Sequence, residues 1–242
     1  MKQFSTLNPQ FSILLLLLLC LAAPAAKAQV YLGVHGGVTL PSGFYADSKM
    51  SDYEWMLAGG HQLKGGAGQG FSAGIDVAYA MPFLSDLSVI LEAEFMQGEP
   101  NKDVKKYHEA HNGIEYTLPK YRNIPILAGL RYSYPIGKYY DLYGEALGGV
   151  NIRSITPYTY GASEFTYDNA TTMAFRLGAG IIVRDLVSLG ASFSMMGKAP
   201  LEGDYSLPSF TKYTSLNPTM VSITLGFRIN PFKGLTRHVQ DF

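Results

Sequence analysis

The sequence predicts an all-β fold, an eight-stranded antiparallel up-and-down transmembrane β-barrel with short turns at one end and long loops at the other. Three observations predict it. Period-2 alternation between apolar and small or polar residues recurs along the chain, whereas helical i, i+3, i+4 spacing is scarce. The connections between the alternating segments are long and short by turns. One face of those segments is too apolar for water, and the other is too rich in Gly, Ser and Arg for an oily interior. The composition agrees: 16% of the 242 residues are charged, below the roughly 25% of soluble domains, while 13% are aromatic and 26 are Gly. Lys+Arg and Asp+Glu are equal at 19 each, so no excess positive charge is available to draw nucleic acid.

The chain opens on a different pattern. Lys2 precedes an apolar run from Phe11 to Ala23, and Ala26-Lys27-Ala28 supplies the small residues of a cleavage site, which predicts a secretory signal peptide over 1–28. The run is shorter than the ~20 residues that span a bilayer as a helix. Cys20, the only cysteine, follows the bulky Leu19, where lipid attachment wants a small residue, and it leaves no disulfide or Cys-based zinc site. Removing 1–28 takes away two lysines and no acid, so the mature chain carries a slight negative excess.

Eight strands are predicted over 29–38, 70–81, 86–97, 123–135, 139–152, 171–183, 186–196 and 219–230, joined by 31, 4, 25, 3, 18, 2 and 22 residues. Short turns on one side and long loops on the other mark a barrel with periplasmic turns and extracellular loops. The fourth strand sets Ile124, Ile126, Ala128, Leu130, Tyr132 and Tyr134 against Pro125, Leu127, Gly129, Arg131 and Ser133. The eighth sets Val221, Ile223, Leu225, Phe227 and Ile229 against Ser222, Thr224, Gly226, Arg228 and Asn230. The apolar face therefore meets lipid. Because an unpaired backbone group in hydrocarbon costs several kcal/mol, the last strand must close on the first. The barrel is thus expected over 29–230, with 231–242 as a periplasmic tail.

Three phrases sharpen the reading: Gly33-Val34-His35-Gly36-Gly37 in the first strand, Asn123-Ile124-Pro125-Ile126-Leu127-Ala128-Gly129-Leu130-Arg131-Tyr132 in the fourth, and Tyr143-Gly144-Glu145-Ala146-Leu147-Gly148-Gly149 in the fifth. In these the chain resembles the PorT-like type of bacterial outer-membrane β-barrel domain, from about residue 29 to 230. The resemblance implies the fold and an outer-membrane location, and carries no catalytic motif. The chain departs from many such barrels in extending past its last strand, from Asn230 to Phe242.

Eight strands enclose an interior that side chains can fill, not an aqueous channel. The alternation sends Tyr31, His35, Asp76, Glu92, Glu94, Arg131, Tyr143, Glu145, Asn151, Arg176 and Arg228 inward. Counting from the short turns brings Asp76, Glu92, Arg131 and Glu145 to similar heights, which predicts a structural network of buried ion pairs; the planar fork of Arg suits several carboxylates at once. Aromatics mark the two interfaces, with Tyr79, Phe83, Tyr132, Tyr134, Tyr139, Tyr140, Phe227 and Phe232 toward the turns and Phe71, Phe95, Phe175 and Phe193 toward the loops.

The long loops offer partner contacts, first of all Tyr53, Trp55 and Met56 in 39–69, although the segment is better suited to packing over the barrel mouth. His108 and His111 stand three apart, not in the His-Glu-x-x-His spacing of a zinc protease, and no metal or other cofactor is expected. Ser192 and Ser194 face inward without a His, and no Gly-x-Ser-x-Gly elbow occurs. The expectation is a non-catalytic binding, assembly or structural role, with outer-membrane lipid and an envelope or surface protein as partners. A lipid-modifying enzyme and a narrow channel are the alternatives.

Overall fold

The computed structural model describes residues 29–49, 65–82, 84–110, 115–200 and 215–231. Eight long strands form the barrel: β1 (Gln29–Ser42), β2 (Ala67–Met81), β3 (Leu84–Pro100), β4 (Tyr121–Pro135), β5 (Tyr140–Ile155), β6 (Ala170–Val183), β7 (Val187–Met196) and β8 (Thr219–Ile229). Each pairs antiparallel with its chain neighbours, and β1 pairs with β8 from Leu32↔Ile229 to Ser42↔Thr219, so the sheet closes without an edge. The eight predicted strands are the eight observed. The structure extends β1 through β5 beyond the prediction on the loop side, to Ser42, Pro100 and Ile155 among others. On β2 to β5 the outward positions so added are Gln69, Glu99, Arg122 and Ser154, past the apolar band, where the ladder continues but the lipid-facing residues that signal it stop; on β1 Leu40 carries the apolar face one step further.

The outer wall carries the predicted apolar face. Ile75, Met173, Phe175, Leu177 and Ile229 are each more than half exposed, a condition that fits lipid and not water. Phe71 and Phe95 meet on this wall toward the loops, ring centroids 6.1 Å apart, while Tyr132, Tyr134, Tyr139, Tyr140 and Phe227 stand exposed toward the turns. Phe83 and Phe232, placed in the same girdle by the sequence, lie outside the described residues, as do 1–28, 232–242 and the loop residues Tyr53, Trp55 and Met56.

The turn between β6 and β7 is tight and unusual in composition. Leu186 N–H donates to Val183 O at 3.0 Å, and both central residues, Arg184 and Asp185, have positive φ, at 54° and 57°. That is the backbone of a type I′ hairpin turn, which usually takes Asn and Gly. Arg184 is held by its N–H to Tyr139 O at 2.7 Å and by stacking on the Tyr139 ring at 5.1 Å.

At the opposite end the chain caps its own barrel. A short 3-10 turn at Gly43–Tyr45 drops Tyr45 into the mouth, where it is 2% exposed and meets Tyr121 edge-on at 5.8 Å. The following residues are tied to helix α1 (Lys102–Ala110) of the second long loop. Asn101 caps α1 by accepting from the N–H groups of Asp103 and Val104, both at 3.1 Å, and its amide donates to Ala46 O at 3.0 Å. The Ser48 hydroxyl donates to Asp103 at 3.2 Å. In the third long loop a small ladder pairs Tyr158–Tyr160 with Ser163–Phe165, and Tyr158 stacks on Tyr167.

Candidate functional site

Alternation delivers the inward side chains to one lumen, which fills in three levels. At the middle level Arg131 on β4 meets Glu145 on β5, its cross-strand partner, through Nη2 at 2.8 Å and Nε at 2.9 Å from the same oxygen. Its other arm reaches toward Asp76 at 4.0 Å, and its guanidinium stacks over Tyr143 at 4.8 Å. Across the lumen Arg176 on β6 donates one amine to Glu92 and the other to Glu94, both on β3, while its Nε donates to Ser194 Oγ at 3.0 Å. His35 joins the halves, with Nδ1 3.6 Å from Asp76 and Nε2 3.8 Å from Glu94. These groups are deeply buried, Glu94 at 2% and Arg176 at 4% exposure.

The sequence grouped Asp76, Glu92, Arg131 and Glu145. The structure brings Asp76, Arg131 and Glu145 together, but Glu92 pairs with Arg176 beside Glu94. The reason is geometric: Leu127, not Arg131, is the cross-strand neighbour of Glu92, and Arg131 lies opposite Ser88. Arg228 stands apart from this layer. Its Nη2 is 2.9 Å from Asp185 in the β6–β7 turn, and its guanidinium stacks over Tyr31 at 4.6 Å. It closes the turn end of the lumen.

Room for these side chains comes from inward glycines. A Cβ at Gly178 would stand 2.7 Å from the Glu145 carboxylate, and one at Gly190 would collide with the Tyr143 hydroxyl. The small residues of the inner face are therefore seats for large polar ones on neighbouring strands.

The third level, toward the loops, is more apolar than the alternation suggested. Met96, Met196 and Met220 pack with Tyr45 and Tyr121 in the buried cluster that also holds Leu127 and Leu147. Threaded through it is an amide relay in which Asn151 donates to Asn123 at 3.0 Å and Asn123 donates to the Tyr45 hydroxyl at 3.4 Å. Burial pushes the Tyr45 hydroxyl up to about 12, so it stays neutral. Asn123, Arg153 and Tyr45 are plug residues that the sequence reading missed. The first two share the inward parity of Asn151 and Arg131 and were legible in principle; Tyr45 sits in a Gly-flanked loop with no periodicity to reveal it.

Chemically, this interior is occupied by its own counterions. His35, Glu92 and Glu94 each present a ligand atom within 4.8 Å of the others, a spacing compatible with a metal ion, but both carboxylates already hold the Arg176 guanidinium. The void left between His35, Asp76, Glu92, Tyr143, Ser192 and Arg228 measures about 30 Å³, room for water and not for a substrate. Ser194 is engaged by Arg176, and Ser192 lines that void; among the described residues neither serine has a His partner. The side chain of His108 and the whole of His111 lie outside the described residues.

A sequence profile described as the outer membrane protein beta-barrel domain matches residues 11–228. No curated protein matches the chain. Among solved structures, Neisserial surface protein A (NspA) is similar at 15% identity, covering 84% of this chain and 98% of its own, with a TM-score of 0.44. The outer membrane protein OprG from Pseudomonas aeruginosa is similar at 16% identity, with 84% and 97% covered and a TM-score of 0.45. The outer membrane enzyme PagL is similar at 10% identity, with 82% and 98% covered and a TM-score of 0.34.

Proposed function

The chain belongs to the outer membrane protein beta-barrel domain family, and from that premise we propose that it is a PorT-like barrel, exported through a cleaved signal peptide at 1–28, whose role is non-catalytic binding or assembly. The barrel is a rigid post, and the work lies in what it presents at its two ends. The observation that carries this reading is the filled lumen. Ionic pairs at mid-height, the Met and Tyr layer above them and the Asp185–Arg228 pair below leave a mid-level void of about 30 Å³ and a smaller one of about 10 Å³ beside Tyr45. Catalysis inside the barrel would need a path that these side chains occupy, and conduction would need a continuous water column.

The loop residues Tyr53, Trp55 and Met56 are the proposed contacts for an envelope or surface protein, with 231–242 as a periplasmic tail. Photo-crosslinking in cells from position 55, with position 139 on the turn side as its counterpart, tests the role. A discrete protein adduct from one end is expected. Lipid adducts alone, together with altered outer-membrane lipid in a deletion strain, would replace this reading with a lipid-modifying enzyme.

A further inference from the structure

The outer wall of the barrel is apolar until the loop-side rim of β4, where charge begins. Ile126 and Ile124 face lipid, each about two-fifths exposed, and the next outward positions along the same strand and its lead-in are Arg122 and Lys120. Arg122 pairs across the β3–β4 ladder with Gln97, one outward position beyond Phe95 of the aromatic girdle. The rim cations thus stand one step above the aromatics that mark the membrane interface, at the height of lipid headgroups.

Their surroundings orient them. Arg122 Nε donates to Gln97 Oε1 at 3.0 Å, which fixes the guanidinium plane and leaves the two terminal amines as a donor fork. On the other side Arg122 pairs with Ser154 of β5, whose hydroxyl shares the outer face. Lys120 is anchored through its backbone N–H to the Thr156 hydroxyl at 2.8 Å and extends an exposed side chain. The acid of this rim, Glu99, is taken by Lys105 of α1 at 2.7 Å. Among the described residues neither Lys120 nor Arg122 lies within ion-pair distance of a carboxylate, and Glu99, which Lys120 faces at longer range, is paired directly with Lys105, so three rim cations meet one acid and net positive charge remains for an outside partner.

We propose that Arg122 and Lys120, assisted by Gln97 and Ser154, bind the phosphate monoester headgroup of an outer-leaflet lipid whose acyl chains lie on the Ile124, Ile126 and Ile152 wall below. Two cations complement the nearly two negative charges of a monoester, and the Arg fork matches two phosphate oxygens in one plane. Charge and position select a lipid over a soluble anion. The cations sit directly above the apolar wall, where only a lipid holds its phosphate in place while its chains remain in contact with protein. The inference rests on the outer-membrane placement of the barrel and is independent of any protein partner.

The test uses the full barrel refolded into phosphatidylcholine vesicles doped with either phosphatidic acid, a phosphate monoester, or phosphatidylserine, an anionic diester. Native mass spectrometry then counts retained lipid, and heat-modifiable gel mobility confirms closure of each variant. Phosphatidic acid should be retained about tenfold over phosphatidylserine, the scale of one charged hydrogen-bonding group. Arg122→Gln and Lys120→Gln should each reduce that preference and together abolish it, while Lys138→Gln at the turn end should leave it intact. Arg122→Lys, which keeps the charge and loses the fork, should fall between wild type and Arg122→Gln. Equal retention of the two lipids by the wild type, or a preference that survives the double substitution, would overturn the proposal. Displacement of the lipid by inorganic phosphate would overturn it as well, by making this a soluble-anion site. The wild-type comparison decides the matter even if a variant fails to close. Failure here would leave the crosslinking result for a protein partner untouched.

Discussion

Arg131 and Glu145 face each other across the β4–β5 ladder, and one carboxylate oxygen accepts from both Nη2 and Nε of the guanidinium. Neighbouring strands in register place these two residues side by side, so their pairing costs no rearrangement of the backbone. The same guanidinium reaches Asp76 on the far side of β3 and stacks on Tyr143, so a single residue links three strands of the wall from inside.

Arg131→Ala should therefore be severe. It leaves Glu145 and Asp76 buried without their cation, and breaking a buried pair from one side costs ~3 to 5 kcal/mol. Urea unfolding in detergent micelles should show a clear drop in midpoint. Arg131→Lys should recover part of it, since a lysine supplies the charge without the fork. An unchanged midpoint for Arg131→Ala would remove the network as a source of stability.

Gly190→Ala should destabilise the barrel through Tyr143 and not through the backbone. The added Cβ collides with the Tyr143 hydroxyl, and overpacking of this kind costs ~1 to 3 kcal/mol. Tyr143→Phe removes the obstructing oxygen, so in a double-mutant cycle it should restore much of the loss. Purely additive effects would mean that Gly190 is required for another reason.

Planar-bilayer recordings of the wild type should show no steady conductance step. Tyr45→Ala opens the loop-side mouth but leaves the Arg131 and Arg176 layer in place, so it too should be silent. A defined conductance in Tyr45→Ala would show that the mid-level pairs do not block the lumen.

The β6–β7 turn separates charge from backbone strain. Asp185→Asn keeps a side chain that tolerates positive φ and loses the pairing with Arg228; as Asp185 is part-exposed, the cost should be at most about 1 kcal/mol. Asp185→Ala loses the pairing and places a Cβ-bearing residue in the left-handed region without a polar group to compensate, a further cost of roughly 1 kcal/mol. Denaturant midpoints ordered wild type, Asn, Ala would confirm both contributions; equal midpoints for the two variants would exclude the strain.

The barrel was legible because its physics is periodic. Ile124, Ile126 and Leu130 had to point one way and Arg131 the other, and the short turns fixed the topology without further information. The lumen was legible by parity but not by partner. Which carboxylate meets which arginine depends on ladder register, and register placed Leu127 beside Glu92 and left Glu92 to Arg176. Arg228 shares the inward parity of these residues, yet its partner comes from the turn that follows β6, where Asp185 meets it. The plug at the loop end was hidden for a different reason: Tyr45 acts through a single non-repeating turn, and tertiary contacts with Tyr121 and Asn123 place it.

The seam between β1 and β8 sets an order of events for biogenesis. It joins the first strand to the last made, with almost the whole chain between them, so its loop-closure entropy is the largest in the barrel. Until Thr219–Ile229 is in place, β1 and β7 both present open edges that hydrocarbon will not accept. A chain truncated before β8 therefore has no route to a sealed state. The C-terminal strand is in this sense the keystone of the wall: it alone covers the free edges of both β1 and β7.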